Sequence, residues 1–268
     1  MRKDYIEDSG ADGADEIAFI ERFWTEVWQA QGGPKGVVDK LGSKPEYRVM
    51  APYLARMPKG ARLLDGGCGL GDWTLFFSRK GHPTLGLDIS RATVAKLNEL
   101  FPEGEFALGD IRHTGLPGDS FDAYFSWGVF EHFEDGCRAC VAEAYRVIKP
   151  GGHLFITVPF DNARHGLRAA WDRRQREAPD GASRRFYQWR FTRGEIRREL
   201  AMGGFEVLEI KPIHKWQGSL RMLHDLFGLP HDWLLSKGLA AIIRYFMPAG
   251  FIAHMIIVVA RKPEAPGR

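Results

Sequence analysis

The sequence predicts an α/β fold: a parallel sheet with helices on both faces, helices ahead of it, and a helical insert before its last strand. Three observations carry this reading. Short apolar runs alternate with segments of helical period between residues 62 and 158, the rhythm of successive βαβ units. The first apolar run leads into a glycine-rich turn, Leu63-Leu64-Asp65-Gly66-Gly67-Cys68-Gly69-Leu70-Gly71-Asp72. Successive runs then end on acids, at Asp65, Asp88 and Asp110.

Residues 1–15 are polar and acidic and read as a flexible tail; with no apolar run, they are no secretory signal. Residues 16–31 place Phe19, Phe23, Trp24, Val27 and Trp28 at helical spacing, and a second helix is expected over 45–57, before Pro58. Together 16–58 form the N-terminal helices, and 59–262 the main domain. Its first strand is Arg62-Leu63-Leu64, followed by a helix over 71–80, a strand over 84–87 and a helix over 90–100 capped by Ser90. Phe106-Ala107-Leu108 and Phe121 to Ser126 are the next strands. A helix over 135–148 stops at Lys149-Pro150-Gly151-Gly152, and 153–158 is the fifth strand. Inserts are expected at about 160–190 and 212–250. Between them Thr192 caps a helix to Met202, with Glu195 in the capping-box position, and Phe205 to Ile210 is a strand. Apolar helices over 218–247 precede the last strand, 254–260, and 263–268 is a tail.

With 268 residues and 44% hydrophobic content the chain can bury a full core. A net charge of +3 is too small to imply nucleic acid. Three cysteines cannot build a disulfide framework, and Cys137 and Cys140 read as one helical face, so no metal is expected. Arg244, Pro248, Gly250 and His254 interrupt the most apolar stretch, so no membrane span is expected and the location is taken as cytoplasmic.

Glycines at 67, 69 and 71 let backbone approach a ligand closely. Asp72-Trp73 stands where a phosphate loop needs Lys-Ser/Thr, and the GxGxG spacing is not the GxGxxG of dinucleotide loops. Acids at the turn repel phosphate and suit a cationic ligand. Asp88 can accept two ribose hydroxyls, and Asp110 with the Ile111 amide can meet an adenine edge. The sum is a site for a nucleoside with a positively charged appendage and no phosphate.

These pieces resemble the class I S-adenosylmethionine-dependent methyltransferases of the broad small-molecule type, with a type 11/25-like methyltransferase domain. The matching segments are LLDGGCGLGDW, GLDIS, ALGDIRHTGLPGDSFDAYFSWGVFEHF, AYRVIKPGGHLFITVP and FTRGEIRRELAMGGFEV. The resemblance implies a Rossmann-like seven-stranded sheet whose last hairpin strand is antiparallel, with the N-terminal helices over the cofactor site. S-adenosyl-L-methionine is the implied cofactor. Asp65, Gly67, Gly69 and Gly71 would line its methionine part, with Gly66 a smaller residue than the family's usual one. Asp88 would hold the ribose, Ile89, Asp110 and Ile111 the adenine, and Trp127 would pack near the sulfonium or adenine.

His132, just past the fourth strand end, is the candidate general base, and Arg48 a candidate partner of the cofactor carboxylate. Eleven arginines between Arg164 and Arg198, with Phe186, Tyr187, Trp189 and Phe191 among them, could bind an anionic acceptor or wall a lid. The helices over 218–247 could roof a hydrophobic acceptor pocket or touch a membrane surface. The function expected is methyl transfer by in-line displacement to a small or medium organic acceptor at O, N or C. RNA or protein methylation through the arginines, or a non-catalytic cofactor-binding subunit, are the alternatives.

Overall fold

A computed structural model describes residues 1–7, 16–165 and 184–264. Among them, in chain order, run β1 (Arg2–Glu7), α1 (Glu16–Ala30), α2 (Pro45–Leu54), β2 (Leu63–Gly66), α3 (Asp72–Arg79), β3 (Thr84–Asp88) and α4 (Arg91–Leu100). They are followed by β4 (Glu105–Leu108), β5 (Phe121–Trp127), α5 (Arg138–Val147), β6 (Ile148–Pro159), β7 (Arg184–Arg190) and α6 (Arg193–Met202). The last elements are β8 (Glu206–Ile213), α7 (Lys215–Phe227), α8 (Leu234–Phe246), α9 (Ala249–Ile252) and β9 (Met255–Arg261).

Seven strands form one sheet in the order β4-β3-β2-β5-β6-β9-β8. The pairs from β4 to β6 are parallel, and β9 runs antiparallel between β6 and β8. Strand order reverses between β2 and β5, which opens a crevice at their carboxyl ends. Both faces are buried, so the strands read as continuous apolar runs. Leu64, Tyr124, Leu154, Ile156 and Val258 pack on one face with α1, α5 and α6. Leu63, Phe125, Phe155, Ile257 and Val259 pack on the other with α2 and α3. This alternation is the period-2 geometry of the strand.

Caps explain where two helices begin. Ser90 accepts the Thr93 amide at 3.2 Å ahead of α4. Thr192 and Glu195 form the full reciprocal capping box ahead of α6.

Three stretches differ from expectation. Arg2–Glu7, expected within a flexible tail, is a strand antiparallel to β7. Its polar residues find partners there: Asp4 accepts from Gln188 at 2.8 Å and pairs with Arg190 at 2.7 Å. β6 starts at Ile148, because Lys149-Pro150-Gly151-Gly152 continues the strand instead of ending the helix in a loop. The aromatic run after residue 184 is itself a strand, β7. Most of the arginine-rich insert, 166–183, lies outside the described residues.

α7 ends at Gly228 in the left-handed region (φ +67°), and α8 follows at Leu234. Leu226, Phe227, Trp233, Leu234, Leu235, Ile242, Tyr245 and Phe246 on this helical pair are exposed. No described helix is long and apolar enough to cross a membrane.

Candidate cofactor and acceptor site

The glycine turn joins β2 to α3 with Gly67, Gly69 and Gly71 all at positive φ (+78°, +52° and +76°). A side chain at Gly71 would meet Leu97 and Phe106, and one at Gly69 would meet the Trp28 ring at 2.8 Å. Gly66 is small for a different reason: a Cβ there would collide with the Tyr124 hydroxyl. Ser126 Oγ donates to the Gly66 carbonyl at 2.6 Å and holds the end of β2 to β5.

Two acids brace the turn from beneath. Asp88 Oδ2 accepts the Gly69 amide at 2.8 Å and Oδ1 accepts the Ser90 amide at 2.9 Å. Burial raises the Asp88 pKa against these hydrogen bonds. Asp65 is almost fully buried and accepts from Thr74 Oγ1 at 2.8 Å. Burial pushes its carboxyl up to about 8, and the nearby Asp88 adds to the rise.

In front of the turn lies a narrow cavity of about 80 Å³. Gly67, Asp88, Ile89, Asp110, Ile111 and Trp127 line it from the strand ends, and Trp24 and Trp28 cover it from α1. The three strand tips at Gly67, Asp88 and Asp110 therefore share one crevice. Asp65, Gly66, Gly69 and Gly71 support the turn without lining that space. Arg48 is exposed on α2 and also lies outside the lining.

Asp110 accepts the Arg112 guanidinium at 2.8–3.2 Å, and this pairing, ahead of the Glu16 contact, holds Arg112 firmly protonated. Arg112 Nη1 also reaches Glu16 on α1 at 2.8 Å, and Thr25 of α1 bonds Ser90 at 2.7 Å. These links strap α1 across the strand tips.

Beside the crevice is a larger cavity of about 320 Å³, between α1, the 130–132 turn and β7. Phe19, Phe23, Arg185 and Tyr187 line it, and Ile20, Trp24 and His132 line both spaces. His132 Nδ1 lies 2.8 Å from the Tyr187 carbonyl. A carbonyl only accepts, so Nδ1 carries the proton and Nε2 the lone pair. Burial lowers the His132 pKa to about 4, so the ring is neutral near pH 7. Glu131 beside it is buried and raised to about 8, with Oε2 unbonded.

The methyltransferase-domain family model matches residues 64–156, the stretch that carries the turn and all three acids. Residues 64–156 therefore carry a methyltransferase domain, in a sheet of the class I S-adenosylmethionine-dependent type. Over 147 residues it is 33% identical to the ubiquinone biosynthesis O-methyltransferase of Alkalilimnicola ehrlichii, covering 53% of this chain and 58% of that one. Over 149 residues it is 29% identical to the malonyl-[acyl-carrier protein] O-methyltransferase of Pectobacterium atrosepticum, covering 55% and 58%. The chain thus spans about half the length of the curated relatives it matches. The Burkholderia thailandensis 1,6-didemethyltoxoflavin-N1-methyltransferase, solved with 1,6-didemethyltoxoflavin and S-adenosylhomocysteine, shares the fold. Its TM-score is 0.59 at 16% identity, over 97% of this chain and 95% of that one.

The methyltransferase crevice fits an adenosine-bearing cofactor in its chemistry. Two carboxylates stand at separate strand tips, apolar walls lie between them, and two lining indoles, Trp28 and Trp127, have buried N–H groups without partners. Its volume is set by α1. A nucleoside site takes roughly 300 Å³ or more, so Trp24 and Trp28 must yield when the crevice fills.

The covering residues were partly legible in advance. Trp24 and Trp28 stand out in the sequence as apolar positions of a helix, and only the resemblance lays that helix over the cofactor site. Gly109, Val129 and Phe133 also line the crevice; they lie in a matching segment but no role is assigned to them from the sequence. Glu16, which ties α1 to Arg112, has no role assigned from the sequence.

Proposed function

We propose that this protein transfers a methyl group from S-adenosylmethionine to a small or medium organic acceptor at O, N or C, with the acceptor in the 320 Å³ cavity. The observation that carries this reading is the shared wall: His132 and Trp24 border both the adenosine crevice and the acceptor cavity.

The cofactor supplies a methyl already bonded to a sulfonium leaving group. The protein's own part is alignment. Asp88 orients the ribose, and Asp110 and Ile111 meet the adenine edge. Trp127 forms the wall toward the sulfonium, and Arg48, out on α2, is left the role of a distant carboxylate partner. His132 at a pKa of about 4 is a weak proton acceptor. Its Nε2 lone pair suits it to accept a hydrogen bond from the acceptor's nucleophile and so to aim it. Phe23, Trp24 and Trp28 exclude water. Positioning of this kind can supply roughly 7 kcal/mol of rate acceleration in favourable cases.

Isothermal titration with S-adenosylmethionine and S-adenosylhomocysteine tests the first half. Incubation of the protein with isotope-labelled methyl donor and fractionated metabolites tests the second. No heat and no thermal shift at saturating cofactor removes the reading.

Peripheral contact with a membrane, bringing a hydrophobic acceptor within reach, is a second reading. It is supported by the exposed Trp233, Leu234, Tyr245 and Phe246 alongside Lys237 and Arg244.

A further inference from the structure

We propose that the acceptor carries an anionic group, a carboxylate or a phosphate, and that Arg190, Arg221 and His254 receive it behind His132. The inference rests on the methyl-transfer reading and names the class of its substrate.

Four chain segments place these residues together. Arg190 ends β7, and its neighbour Phe191 donates to the Pro159 carbonyl of β6 at 2.9 Å. The next residue of β6's exit, Phe160, donates to the His254 carbonyl at 3.0 Å. Gly218 of α7 lies so close to the Ile252 and His254 backbone that a Cβ there would clash. Arg221 follows three residues later on the same helical face. Glu131 closes the fourth side: a Cβ at Gly128 would stand 3.4 Å from Glu131 Oε1 and 3.8 Å from the methyl of Met255. Glu131 Oε1 is 4.0 Å from His132 Nε2, and the His132 and Tyr187 rings lie 5.0 Å apart. The cluster therefore adjoins the side chain that separates cofactor from acceptor.

Its polar groups are left with open valences. Arg190 Nη1, His254 Nδ1 and Glu131 Oε2 are buried without hydrogen-bond partners. Buried polar groups are rarely left so, and three of them gathered in one place leave room for a ligand, an ion or a water to complete the set. Charge points to the sign of that ligand. Arg2 pairs with Asp161, Arg164 with Asp225, and Arg190 Nε with Asp4. Arg221, exposed on α7, is in no ion pair among the described residues; the acids within its electrostatic reach, Asp225 and Asp4, already hold Arg164 and Arg190, which leaves it the surplus cation. Burial, then the charges of Arg221 and Arg190, hold His254 down at about 3, so it stays neutral and can donate a hydrogen bond. Glu131 does not oppose an anion here, because burial keeps its carboxyl protonated up to about 8. A carboxylate or phosphate seated there would take the free Arg190 Nη1 and the Arg221 fork, the pairing these groups make best.

The test uses the full chain saturated with S-adenosylhomocysteine and three probes of one ring size: benzoate, phenyl phosphate and benzyl alcohol. Binding is read by isothermal titration at fixed ionic strength, for wild type and for Arg221→Gln, whose exposed side chain leaves the core intact. We expect at least one anion to bind ten times more tightly than benzyl alcohol and to lose that advantage in Arg221→Gln. Which anion wins decides between carboxylate and phosphate. Equal binding of all three probes, or no change in Arg221→Gln, overturns the anionic subsite while leaving methyl transfer standing. Failure of wild type to bind S-adenosylhomocysteine at all removes the methyl-transfer reading and this inference with it.

Discussion

Replacing Asp88 with asparagine probes the crevice at its brace. The carboxylate takes two backbone amides on separate oxygens, Gly69 at 2.8 Å and Ser90 at 2.9 Å. Asparagine keeps one oxygen and turns an NH2 group against the other donor. The lost charge-assisted bond is worth about 1.5–3 kcal/mol. If that cost falls on cofactor binding, affinity drops about ten- to a hundredfold. If it falls on folding, a chain of this size loses roughly 3–12 °C in Tm. We expect both, since the turn that Asp88 holds is the one that meets the ligand: S-adenosylmethionine binding at least tenfold weaker by isothermal titration, and a Tm lowered by several degrees. A variant that melts early yet binds the cofactor within threefold of wild type would refute the reasoning, because Asp88 would then brace the turn without touching the ribose.

Three further outcomes are expected. Asp65 is raised to about 8 when folded and sits near 3.8 when unfolded, so the folded chain binds the extra proton and stability from this group declines as pH rises between those values; Asp65→Asn should flatten that part of a Tm–pH profile, and an unchanged slope counts against the assignment. Trp28 stacks on Trp24 at 5.1 Å and covers Gly69, a contact worth about 0.5–1.5 kcal/mol; Trp28→Ala should tighten S-adenosylmethionine binding about two- to tenfold, whereas weaker binding would make Trp28 part of the bound wall. Leu234→Ser with Phe246→Ser should abolish co-sedimentation with vesicles containing a third phosphatidylglycerol, and wild-type protein that stays in the supernatant ends the membrane reading.

The sheet and the crevice were legible because local chemistry announces them. Leu63-Leu64-Asp65 followed by alternate glycines permits little but a buried strand and a tight turn. Acids that close successive apolar runs mark strand tips, which a parallel sheet must gather on one edge. The strand β1 was not legible. Its residues, RKDYIE, have no hydrophobic period, and their partners lie at residues 184–190, so only tertiary pairing reveals them. The length of β6 was obscured by Pro150-Gly151-Gly152, residues that normally stop a strand but here sit at its opening stretch. Within the site, strand-end spacing pointed to Asp88 and Asp110 and the resemblance to Trp127, all of which line the crevice, and to Asp65, which the fold places beneath the turn it precedes. The proposed anion subsite was hidden for the same reason as β1: Glu131, Arg190, Arg221 and His254 come from four separate stretches with no shared motif.

The pairing of β1 with β7 also bears on how the molecule should be handled. Arg2 pairs with Arg190 and Asp4 holds the Arg190 guanidinium, so whatever is fused ahead of Arg2 would hang beside the proposed anion subsite. The other end leaves from the far rim: Lys262 exchanges backbone hydrogen bonds of 2.9 Å with Gly151 and Gly152, where β6 begins. An affinity handle, fluorophore or surface tether attached after Glu264 would therefore stand a full strand length away from the chemistry, and that is the end to choose for immobilised binding measurements.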